Sequence, residues 1–256
     1  MLAKARESRE EAIMRVSLLH AFGSYLQSQT AQEEGQEPQQ PSVTISRQTG
    51  SGAVTIAQML AERLNVAAKP PEGATSWAVF DRNLARQVLV DHKLPLNLER
   101  FMIEDARLPV EAIVEEVLGL HPSPWTLAQQ TTRTILRLAG LGRVIVVGRG
   151  AEIITNRLPY VFHVRLVAPL EQRIQHAVKY YNLDAGEAAK FVKEEDHARR
   201  RYLRRYFDAD VDDPLLYDLV LNTGRLGFAR ATEIVAQAVL RHHEEFLQGQ
   251  QPLGAA

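Results

Sequence analysis

"TISRQTGSGAVTIAQMLAERL", residues 44–64, runs from a β-branched stretch through glycine and hydroxyl residues into a helical pattern. Strand, turn and helix in that order form the layout of a loop that cradles phosphate. Such a loop works because glycines let successive backbone N–H groups turn inward, and because the next helix presents its positive N-terminus to an anion. In the spacing G-x-x-x-x-G-K-[ST] a lysine then reaches the terminal phosphates. Here Arg47 stands at the first glycine position, Gly50 and Gly52 are retained, Ala53 stands where the lysine belongs, and Val54 and Thr55 follow. The scaffold is present and the charge is missing from its place. A G-S-G triplet also fits a plain tight turn after a strand. A dinucleotide fingerprint fails, because its third glycine would fall on Thr55.

Outward from this stretch, short apolar runs alternate with longer helical ones, as in a parallel sheet wrapped by helices. Strands are predicted at "SVTIS" (42–46), "WAVF" (77–80), "RVIVVG" (143–148), "YVFHVRLV" (160–167) and "DLVLN" (218–222). The third is β-branched without alternation, which fits a strand covered on both faces. Helices are predicted over 53–64, from Asp81 through "DRNLARQVLVDH", and over 109–119, 126–140, 169–181, 185–206 and 227–247. Residues 1–29 keep Met14, Leu18, Ala21, Phe22 and Tyr25 on one helical face, an appended amphipathic helix for docking, self-association or partner contact. A polar linker over 30–42, a domain over 43–247 and a tail over 248–256 complete the expected organisation.

With 256 residues, a net charge of −1 and no cysteine, the chain has room for one large α/β domain and no global pull toward nucleic acid or anionic membrane. Disulfides, thiol catalysis and cysteine-containing zinc sites are excluded. No stretch approaches the ~20 apolar residues that span a bilayer, and the N-terminal apolar run is broken by Ser17, His20 and Ser24, unlike a signal peptide. The expectation is a soluble, cytoplasmic protein. The histidines show no metal-ligand spacing joined to carboxylates, and no G-x-S-x-G elbow appears.

Three later stretches narrow the meaning of the loop: "VIVVGRGAEII" (144–154), "DHARRRYLRRYF" (196–207) and "DDPLLYDLVLNT" (212–223). In this order, after "ISRQTGSG" and "FDR", the chain resembles the cytidylate kinase-like family of P-loop nucleoside monophosphate kinases over about residues 43–240. The resemblance implies a three-layer α/β/α P-loop NTPase fold, with a parallel five-stranded sheet and a helical lid. It implies ATP and Mg²⁺ as cofactors, and phosphoryl transfer to a nucleoside monophosphate such as CMP or dCMP. Such transfer asks for positioning and charge stabilisation, to which the forked guanidinium of arginine is suited.

Carried over by position, Gly50, Ser51 and Gly52 would cradle the ATP phosphates, and Thr55 would match the hydroxyl residue of the family's K-G-T run and help order Mg²⁺. Arg149 would hold the acceptor phosphate, and Arg199 and Arg204 would match lid arginines. Asp81 and Arg82 match an acidic and basic pair on the acceptor side. Two departures bear on chemistry. Ala53 and Val54 replace the lysine and glycine of G-K-G-T, and Gly150 replaces an aspartate that contributes to acceptor recognition. Loss of one preorganised charge-stabilising group costs ~10²-fold or more in rate; Arg47, at the other end of the loop, either supplies the replacement charge or faces away. Two alternatives stay open: a weak or inactive kinase fold kept for nucleotide or partner binding, and a kinase for another small phosphate acceptor.

Ordinary explanations stand beside these roles. On a helix, Glu195–Arg199 and Asp196–Arg200 are four apart and would pair on the surface. Asp213 before Pro214 reads as a turn starter, and Tyr217 as packing under the fifth strand. Asn222 and Thr223 fit either an approach to adenine or a strand-end turn.

Overall fold

The computed structural model describes residues 40–67, 76–81, 84 and 124–250 of the chain. The N-terminal helix, most of the linker, the helix following Asp81 apart from Leu84, the helix over 109–119, Arg82 and the end of the tail lie outside them.

Five strands form one parallel sheet in the order β2-β3-β1-β4-β5. They are β1 (Ser42–Arg47), β2 (Ala78–Phe80), β3 (Val144–Val147), β4 (Val161–Val167) and β5 (Leu219–Asn222). Each predicted strand is found, shifted by a residue or two at its ends. Among the described helices, α1 (Ala53–Ala67) follows β1, α2 (Pro124–Leu141) precedes β3, and the short α3 (Ala151–Ile154) follows it. The hairpin α4 (Leu170–Tyr181) and α5 (Ala185–Phe207) follows β4, and the short α6 (Thr223–Leu226) and long α7 (Phe228–Gln250) close the chain. None of the described helices is long and apolar enough to cross a membrane.

Strand periodicity explains the three layers. Along β3, Ile145 and Val147 pack into a core with α1 and α7, whereas Val144 and Val146 pack into a second core with α2 and α3. Successive side chains point to opposite faces, so a strand apolar at every position must be covered twice. β1 and β4 differ. Val43, Ile45, Val164 and Leu166 join the first core, while Ser42, Thr44, Ser46, His163 and Arg165 are buried polar residues.

Those polar positions find hydrogen-bond partners, as burial demands. Ser42 Oγ donates to the Ala139 carbonyl (3.0 Å), and Thr44 Oγ1 and His163 Nδ1 lie 2.8 Å apart. Arg165 donates to Ser46 Oγ (3.0 Å) and to Asp212 Oδ1 (2.6 Å). Tyr217 Oη donates to the Val211 carbonyl (2.8 Å), and its ring lies 5.5 Å from the Arg165 guanidinium. Burial pushes its phenol up to about 12. Asp213 caps the turn at Pro214–Leu216 by accepting from Leu215 N–H, and Asp218 Oδ2 accepts from His163 N–H at 2.7 Å.

The α4–α5 hairpin has a small core of its own, Ala177, Ala188 and Val192, flanked by Tyr181 and Phe191. A capping box starts α5: Asp184 accepts from Glu187 N–H (2.8 Å), and Glu187 accepts from Asp184 N–H (3.2 Å).

Candidate active site

The loop after β1 is held at every step. Gln48 N–H continues the ladder to the Leu166 carbonyl (2.9 Å), and Gln48 Oε1 accepts from Ala168 N–H (3.1 Å). Ser51 closes the turn with both its N–H (3.1 Å) and its hydroxyl (2.7 Å) on the Gln48 carbonyl. Gly50 and Gly52 have φ of 82° and 85°, which residues with a side chain rarely adopt. Neighbours also demand glycine there: a Cβ on Gly50 would stand 2.3 Å from the Arg173 carbonyl oxygen, and one on Gly52 2.3 Å from the Phe228 ring.

A buried ion cluster clamps the loop to the hairpin. Thr49 N–H donates to Asp196 Oδ1 at 2.7 Å. Arg173 Nη1 donates to the other oxygen, Oδ2, at 2.6 Å and to the Thr49 carbonyl at 3.1 Å, while its Nε bonds the Ala168 carbonyl at 3.0 Å. Arg199 Nη1 reaches Thr49 Oγ1 and Asp196 Oδ1, each at 3.2 Å. Arg173 is 7% and Arg199 4% exposed. The surface pairing expected for Asp196 is thus corrected: it turns inward to Arg173 and Arg199, and Arg200 pairs with Asp212 at 3.0 Å instead.

Above the loop opens a cleft of about 590 Å³, its mouth included. One wall is the loop, with Arg47, Gly50, Gly52 and Thr55; Asp81, Glu195 and Arg199 face it, and His176, Tyr180 and Tyr181 of α4 complete it. Burial draws the His176 imidazole below its usual range, the Gly50 backbone opposing and Lys179 adding to the fall. Two arginines therefore flank a loop whose own lysine position, Ala53, is packed into the first core.

The match to known sequences covers this architecture from the start of β1 into α6: the model of the cytidylate kinase-like family matches residues 42–225. The chain belongs to the cytidylate kinase-like family. Among its relatives, the cytidylate kinase of Methanocaldococcus jannaschii is 23% identical over 77% of this chain and 96% of that protein. That of Natronomonas pharaonis is 27% identical over 82% of this chain and 95% of its own length. An uncharacterized protein from Eubacterium ventriosum shares the fold with a TM-score of 0.57 at 18% identity, over 78% of this chain and 98% of that one.

Within this family member, the residues expected from sequence divide. Arg47, Gly50, Gly52, Thr55, Asp81 and Arg199 meet at one cleft. Ser51 lies buried in the loop itself. Arg149 follows β3 at the same C-terminal sheet edge, the side where open parallel sheets bind ligands. Its φ of 62° lies between Gly148 and Gly150 at 82° and 67°. It does not line the cleft around the loop. Arg204 is brought elsewhere: its side chain is 70% exposed and pairs with Asp210 at 3.4 Å. Thr223 takes the turn alternative, for it is 3% exposed and its hydroxyl donates to the Ser51 (2.9 Å) and Val167 (3.3 Å) carbonyls. Asn222 caps α6 by accepting from Arg225 N–H.

Arg173 and the aromatic wall were not singled out from sequence, and Asp196 was read only as one half of a surface pair. A signal existed. Arg173 lies four and eight residues before Ala177 and Tyr181, on the inner stripe of α4, and Asp196 and Arg199 continue the Ala188–Val192–Leu203 stripe of α5. Charged residues at core-facing helical positions must find partners.

Proposed function

We propose that the protein transfers a phosphoryl group from ATP to a nucleoside monophosphate, CMP or dCMP, with Mg²⁺. The observation that carries this reading is the convergence of the glycine loop, Thr55, Asp81, Arg47 and Arg199 on one cleft. The residues fit the cofactors. The loop leads into the N-terminus of α1, whose first-turn N–H groups have no partner within the helix. Thr55 and Asp81 supply the hydroxyl and carboxylate oxygens that suit Mg²⁺ alongside phosphate oxygens. Bound there, Mg²⁺ would neutralise charge on the transferring phosphates.

The chain's own residues would then act by position. An oxygen of the acceptor phosphate attacks the γ-phosphorus, the bond from that phosphorus to the bridging oxygen breaks, and ADP leaves with the electron pair. Arg47 and Arg199 would supply the positive charge that Ala53 cannot, and Arg149 would hold the acceptor phosphate. Purified protein given ATP, Mg²⁺ and a panel of monophosphates should form diphosphate in a coupled assay, fastest with CMP or dCMP. No turnover above an Arg149→Ala control with any acceptor would overturn the reading; turnover confined to a different small phosphate acceptor would replace the substrate.

One observation favours a second reading, a nucleotide-binding fold with little catalysis. Ala53, at the lysine position, is 7% exposed and belongs to the core. Tight ATP binding by calorimetry without turnover would select it.

A further inference from the structure

The turn at Asn222 and Thr223, left open from sequence between an approach to adenine and a strand-end turn, is closed by packing within the protein. The Thr223 hydroxyl is spent on two backbone carbonyls. A Cβ on Gly224 would stand 2.3 Å from Gln172 Oε1 and 2.5 Å from Pro169 Cδ, so the turn after β5 is packed directly on the start of α4. The Phe228 ring covers Gly52. Neither Asn222 nor Thr223 lines the cleft.

The aromatic surface that does line it stands further along α4, beyond the stretch packed on that turn. His176 lies over Phe228 edge-on, with ring centroids 5.2 Å apart, and stacks on Tyr180 at 5.6 Å with 29° between the rings. Tyr180 in turn meets Tyr181 edge-on at 4.9 Å, and Tyr181 meets Phe191 at 4.9 Å. The series begins beside Gly50 and climbs one helical turn, about 5.4 Å, from His176 to Tyr180. Its outer member is not consumed by packing: Tyr180 is 50% exposed, whereas Tyr181 is anchored in the hairpin core. A large aromatic half open to solvent, beside a neutral-leaning imidazole and above a phosphate loop, has the chemistry of a stacking platform for a flat heteroaromatic ring.

We propose that His176 and Tyr180, backed by Tyr181, form the base-binding wall of the cleft. The ligand is a nucleoside triphosphate whose base stacks on this wall while its phosphates lie along residues 47–55. The proposal rests on the loop being a phosphate site and assigns the base to α4 instead of the turn after β5. Stacking is tolerant of base identity, so the wall accepts purine and pyrimidine triphosphates with a modest preference for the larger ring.

The test is calorimetric titration of the full chain and of Tyr180→Ala and Tyr180→Phe with ATP and with inorganic tripolyphosphate. Tyr180→Ala should bind ATP roughly tenfold more weakly, the scale of a lost base–aromatic stack, with tripolyphosphate binding unchanged. Tyr180→Phe should restore ATP binding. Unaltered ATP binding in Tyr180→Ala, or equal weakening of ATP and tripolyphosphate, would overturn the wall. So would an unmodified protein that binds tripolyphosphate as tightly as ATP. Failure of the unmodified protein to bind either compound would instead remove the phosphate-loop reading, and the wall with it.

Discussion

Removal of the Asp196 carboxylate should be among the most damaging single changes in the described fold. In Asp196→Ala the acceptor of three hydrogen bonds disappears: Thr49 N–H at 2.7 Å, Arg173 Nη1 at 2.6 Å and Arg199 Nη1 at 3.2 Å. The side chains of Arg173, Arg199 and Asp196 are 9%, 5% and 11% exposed, so water cannot simply replace the lost anion. Hydrogen bonds to charged groups are worth ~1.5–3 kcal/mol each, but within one cluster they do not add. Truncating one partner of a buried ion pair costs ~3–5 kcal/mol, because the remaining charge is left uncompensated. At ~2–4 °C per kcal/mol for a domain of this size, the melting temperature should fall by roughly 6–20 °C. Arg200→Ala is the matched control, since its pair with Asp212 is 43% and 46% exposed and such pairs contribute ~1 kcal/mol or less. Urea unfolding and calorimetry at pH 7 measure both. If Asp196→Ala cost no more than Arg200→Ala, the cluster would not be the structural anchor of the loop.

Stability should also fall as acid is added from neutrality. Burial, opposed by Asp218 and aided by His242, lowers His163 to about 4. Above about pH 6.5 it is neutral folded or unfolded; below that the unfolded chain takes up the proton first, and roughly 3 kcal/mol is lost by pH 4. Urea midpoints across this range should decline less steeply in His163→Gln, and parallel declines would exclude His163 as the cause. Gly52→Ala should lose stability and ATP binding together, because its Cβ would enter the Phe228 ring. Adding Phe228→Ala should recover only the steric part, as the positive φ remains; full recovery in unfolding assays would refute the backbone contribution. Thr223→Val should cost ~1–3 kcal/mol by leaving the Ser51 and Val167 carbonyls without their shared donor, read by urea unfolding. Arg204→Ala, lying outside the cleft, should leave kcat within about threefold in the coupled assay, on the scale of ≲1 kcal/mol for an exposed pair.

The strands were legible because β-branched runs leave little choice of structure, and the family because its motifs are ordered along the chain. The polar half of the sheet was not. Thr44, Ser46, His163 and Arg165 sit inside strands that look apolar overall; Thr44 and His163 meet across two strands, and the partners of Arg165 and Ser46, Asp212 and Tyr217, come from a distant turn. Arg199 lines the cleft, but its companion Arg173 comes from another helix, and their meeting at Thr49 depends on how α4 packs on α5. Periodicity assigns a face to each residue; it does not say which faces of two helices meet. For the same reason Arg204, five residues beyond Arg199, was expected with it and lies outside.

The glycine loop is braced on every side by the chain that carries it: Asp196 from α5, Arg173 from α4, and Thr223 from beyond β5. Its order therefore does not wait for a ligand. A loop that must be frozen on binding forfeits ~1–2 kcal/mol of backbone entropy per residue; this one has already surrendered that freedom during folding. Ligand affinity is in this way linked to the integrity of the α4–α5 hairpin. The loop amides of the free protein should exchange with solvent as slowly as those of the sheet.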